Sequence, residues 1–461
     1  MTKYDFIILG AGPGGYVAAL RAAIMGARVA LIEKDLVGGV CMNWGCIPTK
    51  ALYRTTKLYQ EIKKADALGI QVDGAKPHLG AMIDRKDKIV TQLRTALEKL
   101  FKKRKIDVFM GFGHLLDPNR VQVIGPGLKE TLEGRFIILA TGTECAPHPN
   151  LRVDNKIVHD VKSVLDLREA PEHLFVVGGG VSGCEFAQVF SALGSRVTMT
   201  KRSQVPIKGL DEDILKILVR TFKKRKYAML FGETLDEAQV SEAGVSCKMG
   251  SGKTVEADMA LVTIGHTPLT YEIGLEEAGI ATDDHGHLLI DPHGRTSVEH
   301  IYAVGDVTGK QLLAHFASHT GLIAVHHALG DGEAVIDEAA VPKAVFTDPE
   351  LAWVGLSEAE AKDRFGRVKT GQFLIRALGR STADGHLDGV VKVVAAGDSD
   401  TVVGVHIIGP DASSLIAEGT LAVARRLSLK DLAETIHAHP TYPEAIHEAV
   451  ETALGLPIHN E

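Results

Sequence analysis

Apolar residues along the chain gather in short blocks, each followed by a glycine turn. Tyr4 to Leu9 is one such block, GAGPGG stands directly behind it, and YVAALRAAIMG continues with the texture of a helix. A second strand, ARVALIE, ends in Glu33. Strand, glycine turn, helix, strand and terminal acid are the parts of a dinucleotide-binding βαβ unit, in their required order. The unit recurs: Leu174 to Val177 predicts a strand, GGGVSG a turn, CEFAQVFSALG a helix and SRVTMT a second strand. FIILATG (Phe136 to Gly142), ALVTIGHTP (Ala260 to Pro268) and HIYAVGDV (His300 to Val307) read as further buried strands running into turns. From Val341 the texture changes to the strands KAVFTDP, GVVKVVAAG and VVGVHIIG, with helices between and after them. The predicted fold class is α/β, with two Rossmann-like three-layer nucleotide-binding domains and a separate C-terminal α+β domain. The boundaries are 1–148 with 271–341 for the first nucleotide domain, 149–270 for the second, and 342–461 for the last.

The two units differ where they would meet a ribose. Gly10, Gly12 and Gly15, and again Gly178, Gly180 and Gly183, let backbone amides approach a pyrophosphate at the positive end of a helix. Glu33 lies twenty-three residues after Gly10, and Lys201 lies twenty-three residues after Gly178, followed by Arg202. Glu33 accepts ribose hydroxyls and repels a 2'-phosphate; Lys201 and Arg202 attract one, with Lys208 a few residues on. The first unit is therefore read as the FAD site, with Gly142 and Asp306 at two further strand ends. Asp306 stands where a carboxylate can hold polyol hydroxyls. The second unit is read as favouring NADPH over NADH.

Between these units lie Cys41 and Cys46, in GGVCMNWGCIPTK, one short connection beyond the first glycine turn. Gly38, Gly39 and Gly45 around them signal backbone in close approach, and no second pair follows to complete a zinc site. The pair reads as a redox centre, a disulfide that opens on receiving two electrons.

Composition narrows the setting. At 461 residues the chain is long enough for several cores. A net charge of -7 gives no electrostatic reason for nucleic acid or an anionic membrane, and no apolar run is long enough to cross a bilayer. Five cysteines do not make a secreted disulfide scaffold, and MTKYDFIILGAG lacks an export signal, so a cytoplasmic setting is expected. Two similar basic runs, LFKKRKIDVFMG and TFKKRKYAMLFG, each follow an amphipathic stretch and precede an apolar strand, and read as solvated helix ends.

The blocks GAGPGGYVAALRAA, GGVCMNWGCIPTKAL, GGGVSGCEFA, YAVGDV, LLAHFASHTG, FTDPELAWVGLSE and HAHPTYPE follow one another as in the class I pyridine nucleotide–disulfide oxidoreductases. The chain resembles that family over essentially its whole length, and most closely its dihydrolipoamide dehydrogenase branch. The resemblance implies a homodimer with one FAD per subunit and the C-terminal domain as its interface. It implies that Cys41 exchanges with substrate, that Cys46 lies against the flavin, and that Lys50 and Glu185 pair beside it. It further implies that His439 and Glu444 serve the active site of the opposite chain. Chemically, His439 is the natural base for a thiol whose unperturbed pKa of about 8.5 leaves it mostly protonated, and Glu444 can orient the ring.

Several positions depart from that pattern: Lys201 where an acid is common, His266 in place of an arginine, Phe316 in place of a lysine, and Tyr442 with Pro443 in place of smaller residues. The expected substrate is a small dithiol or disulfide, dihydrolipoamide foremost, free or as a lipoyl group on another chain. An NAD(H)-linked oxidation of dihydrolipoamide without NADP preference stays open, as do a glutathione-reductase-like, NADPH-dependent reductase of another disulfide and a non-enzymatic redox sensor. The C-terminal GLPIHNE lacks the cysteine pair of mercuric reductases.

Overall fold

A computed structural model describes residues 2–460. The first sheet has the strand Thr2–Leu9 at its centre, parallel to Val29–Glu33 on one side and to Leu128–Leu139 on the other. Asp107–Met110 extends the parallel run beyond Val29–Glu33. The twelve-residue strand Leu128–Leu139 is long enough to pair twice along its far edge. Its first half meets the antiparallel strand Arg120–Gly125, which Phe112–Leu115 extends in turn, and its second half meets Ile301–Ala303 in parallel. The pairing of Ile301–Ala303 brings this later segment onto the first sheet.

The second sheet is fully parallel, in the order Ala228–Phe231, Arg196–Lys201, His173–Val177, Met259–Val262, Val158–His159. A three-stranded antiparallel meander over Leu235–Ala257, which no sequence signal announced, covers one face of it. The two nucleotide units repeat the same backbone approach. Gly10 has φ +100°, and a Cβ there would sit 2.3 Å from the Ala140 carbonyl oxygen; Gly178 has φ +121° and would strike Thr263 O at 2.3 Å. Only glycine lets the turn lie on the neighbouring strand end in this way.

The third sheet is antiparallel, in the order Lys343–Val345, Glu350–Gly355, Val402–Gly409, Val390–Ala396, Val368–Leu374. Val390–Ala396 is buried at every position because helices cover both faces. Ala412–Arg425 and Glu444–Leu454 pack on the sheet, and Glu212–Lys224 of the second unit contacts it too. The basic runs end the helices Leu79–Lys103 and Glu212–Lys224, as expected. The second is more than a solvated end, since half-buried Arg225 donates to the Asp348 carboxylate at 2.7 Å.

A buried charge cluster joins the second unit to the third sheet. Lys392, 2% exposed in its side chain, lies 2.9 Å from Asp211 and 2.7 Å from both Asp213 and Glu358. Burial works against the Asp211 charge, but Lys392 and the Glu358 amide outweigh it and hold the carboxyl low. Lys392 holds Asp213 low, and Lys362 with Lys392 holds Glu358 low. Depressed carboxyls stabilise the fold above their unfolded pKa of about 4, and that stability is lost as pH falls through the folded values. Lys392→Met is expected to cost about 3–5 kcal/mol at pH 7, because it strands buried carboxylates without their cation. Thermal midpoints across pH check this: the gap between wild type and variant should narrow in acid.

Candidate active site

The dithiol is set by one short helix and the first turn of a long one. Cys41 lies in Gly39–Asn43 and Cys46 opens Cys46–Ile62; the two are joined as a disulfide with Cα atoms 4.7 Å apart. A Cβ on Gly39 would come 2.6 Å from the Gly12 Cα, so the loop rests backbone on backbone against the first glycine turn. Asn43 braces it by donating to Val37 O at 3.1 Å and Gly39 O at 2.9 Å.

One helical turn past Cys46, the Lys50 amine lies 2.9 Å from each oxygen of Glu185, whose side chain is 6% exposed. Glu185 also accepts from the Phe346 amide at 3.1 Å, and Lys50 stands 4.4 Å over the Phe346 ring. The sequence pointed to the ion pair; the part of Phe346, within FTDPE, was missed because neither spacing nor residue type marks it.

Of the residues assigned to FAD, Glu33, Gly142 and Asp306 stand at or just past the ends of strands of the first sheet. Glu33 is buried at the end of its strand, and its two oxygens accept from Ala11 N at 2.8 Å and Asp35 N at 2.9 Å. Burial raises its carboxyl despite these amides. Asp306, in the short turn Gly305–Thr308, is pushed up to about 6 by burial, opposed by a hydrogen bond from Thr143. The buried Thr141 hydroxyl beside Gly142 has no partner among the described residues. Helix Pro13–Ile24 begins at Gly12 with no side chain capping its amides. Free amides, a buried acid and an orphaned hydroxyl fit a pyrophosphate, a ribose and a polyol in turn.

In the second unit the Lys201 amine donates to Pro206 O, and burial depresses its pKa, countered by Cys184 and reinforced by Lys208. Arg202 and Lys208 are exposed on the same loop. The helix Val181–Leu193, starting at Gly180, is likewise uncapped by any side chain. Lys201 packs against Gly179 of the second glycine turn, and Lys208 stands near enough to act on its charge.

His439 and Glu444 stand on the third domain. The ring Nδ1 lies 2.7 Å from Glu444 Oε1, and Thr441 N donates to Oε2 at 2.7 Å. Burial raises the Glu444 carboxyl, but the Thr441 amide, His439 and His437 outweigh it and hold it below the usual range. His439 is 77% exposed in its side chain, so its other nitrogen faces outward from this subunit. Of the departures, His266 is exposed, Phe316 is buried, and buried Tyr442 donates to Asp384 at 2.9 Å.

The model of the pyridine nucleotide-disulphide oxidoreductase family matches residues 4–332, and that of its dimerisation domain matches 341–450. The chain belongs to this family of FAD-dependent oxidoreductases, which are homodimers. It is 39% identical over 459 residues to the dihydrolipoyl dehydrogenase of Chlamydia muridarum, covering 99% of this chain and 98% of that one. It is 37% identical over 458 residues to the Geobacillus stearothermophilus protein of the same name, covering 99% and 97%. Among solved structures, LpdA of Mycobacterium tuberculosis superposes with a TM-score of 0.93 at 30% identity over 98% of this chain and 99% of that one. The Cu(II) complex of the HOCl-induced flavoprotein disulfide reductase RclA of Escherichia coli gives 0.89 at 26%, over 98% and 100%. Among the described residues no helix is long and apolar enough to cross a membrane.

With Cys145, Cys184 and Cys247 free, the denatured oxidised chain should titrate three thiols, rising to five after reduction. A disulfide-specific thiol assay under denaturant checks this, and Cys46→Ser should remove the increment.

Proposed function

We propose that this protein moves two electrons between a pyridine nucleotide and a small dithiol, dihydrolipoamide foremost, through Cys41–Cys46. The observation that carries this reading is the disulfide lying against the first glycine turn. The names of the full-length relatives support the choice of substrate. The functional units run over 1–148 with 271–341 for FAD, 149–270 for the nucleotide and 342–461 for the dimer interface.

A substrate thiolate attacks Cys41 Sγ, breaking the Cys41–Cys46 bond and releasing Cys46 as a thiolate. The second substrate thiol gives its proton to His439 Nε2 of the partner chain and attacks the sulfur bound to Cys41. The substrate disulfide forms, and Cys41 leaves and recovers the proton. Glu444 keeps the hydrogen on Nδ1 of His439 and stabilises the imidazolium in between. FAD, held by Gly10, Gly12, Gly15, Glu33, Gly142 and Asp306, supplies two-electron exchange between the thiols and the nucleotide. Lys50, paired to Glu185, sets a positive charge at the face of the dithiol helix where that exchange occurs.

The nucleotide binds at Gly178, Gly180 and Gly183, and Lys201, Arg202 and Lys208 favour NADPH over NADH. A redox pair that must cycle, with three cysteines left as thiols, suits the reducing cytoplasm.

His439→Gln is expected to lower kcat for dihydrolipoamide oxidation by about 10²–10⁴-fold, the usual share of a general base, with flavin content unchanged. Steady-state kinetics on the FAD-loaded dimer checks it. Lys201→Glu combined with Arg202→Ala should move the ratio of kcat/KM for NADP(H) to NAD(H) toward NAD(H) by at least about tenfold, since both bases facing a 2'-phosphate are lost. An unchanged ratio would refute the NADPH preference and leave the dithiol chemistry standing.

A further inference from the structure

The loop that carries His439 holds a second histidine two positions earlier, which the reaction above does not use. His437 is 8% exposed in its side chain. Its Nδ1 lies 3.0 Å from the Thr435 carbonyl oxygen, and its Nε2 lies 2.8 Å from Glu418 Oε1. A carbonyl oxygen and a carboxylate only accept hydrogen bonds, so each ring nitrogen of His437 faces an acceptor.

The His437–Glu418 pair is built from three separate elements. Glu418 comes from helix Ala412–Arg425, and Thr435 follows helix Leu429–Ala433, its hydroxyl donating to Asp431 O at 2.8 Å. Helix Glu444–Leu454 supplies His447, whose ring lies 5.7 Å from that of His437 and whose Nε2 bonds Ala433 O at 3.2 Å. The charged or titratable groups facing His437 are thus Glu418 on one side, and His447, Glu444 and, beyond His447, Glu451 on the other. Ile436, the residue before it, is 97% exposed in the single subunit, so within this chain the loop has no apolar anchor at that point. Polar contacts fix its course. His437 also stands near enough to Glu444, the carboxylate that holds His439, to help keep that carboxyl low.

We propose that His437, clamped between Glu418 and the Thr435 carbonyl, is a positioning residue for dithiol exchange: it fixes the loop that presents His439 and, through Glu444, the tautomer of that ring. The inference rests on the assignment of His439 as the base. It adds to that assignment a second histidine–glutamate pair, with its histidine on the same loop and its glutamate on helix Ala412–Arg425.

The test uses the FAD-loaded dimer carrying His437→Gln or Glu418→Gln, each alone and combined with His439→Gln. Each single variant should lower kcat for dihydrolipoamide by about tenfold with KM nearly unchanged, and on the His439→Gln background should cause no further loss. Losses of equal size on both backgrounds, or no loss on either, would overturn the positioning role. A His439→Gln enzyme of full activity would instead show that the assignment of the base is at fault. Imidazole 15N spectra of histidine-labelled protein, with His437→Gln identifying the signal, test the clamp separately. A doubly protonated His437 ring at pH 7 is expected; a neutral tautomer there would overturn the clamp whatever the kinetics show.

Discussion

The three parts of the molecule meet at one carboxylate. Glu185 belongs to the helix of the second nucleotide unit, yet its partners are Lys50 of the dithiol helix and the Phe346 amide at the start of the third domain. A carboxylate with a 6% exposed side chain must be paired or it is costly, so each partner is a condition for the others. Lys50 stands four residues after Cys46, on the same face of the same helix. Fixing the lysine therefore fixes the rotation of the helix, and with it the position of Cys46.

Other contacts keep that junction from drifting. Tyr53, further along the dithiol helix, donates to Thr347 O at 2.9 Å, and Lys57 lies 3.3 Å from buried Glu350, which also accepts from Ser413 at 2.8 Å. The Lys392 cluster does the same between the second unit and the third sheet. The charges that hold the domains together are buried or half-buried and mutually satisfied, whereas His439 and Arg202 are open. This division suits an enzyme whose partner chain and nucleotide must reach groups that the single subunit leaves uncovered.

Much of this was legible in the sequence because it depends on local chemistry. Glycines at Gly10 and Gly178 announce a turn that must touch a neighbouring strand end, and a Cβ at either would collide with a carbonyl oxygen. The Cys41–Cys46 pair among glycines announced a loop against the first turn, and the disulfide is there. The meander of Leu235–Ala257 was not legible, because short strands of mixed polarity give little period to read. Phe346 escaped because it acts through its backbone amide and ring face, which leave no motif. His437 carries no motif of its own; only the position of Glu418, nineteen residues away in the chain, gives it a role.

The central claim is that Cys41–Cys46 and a bound flavin share electrons, and an anaerobic reductive titration of the FAD-loaded dimer tests it most directly. If the claim holds, each chain takes up twice the electrons that its flavin alone accepts. A long-wavelength band from the Cys46 thiolate against the oxidised flavin should then rise halfway and vanish in Cys46→Ser. Uptake equal to the flavin alone, with bleaching and no such band, would contradict the account.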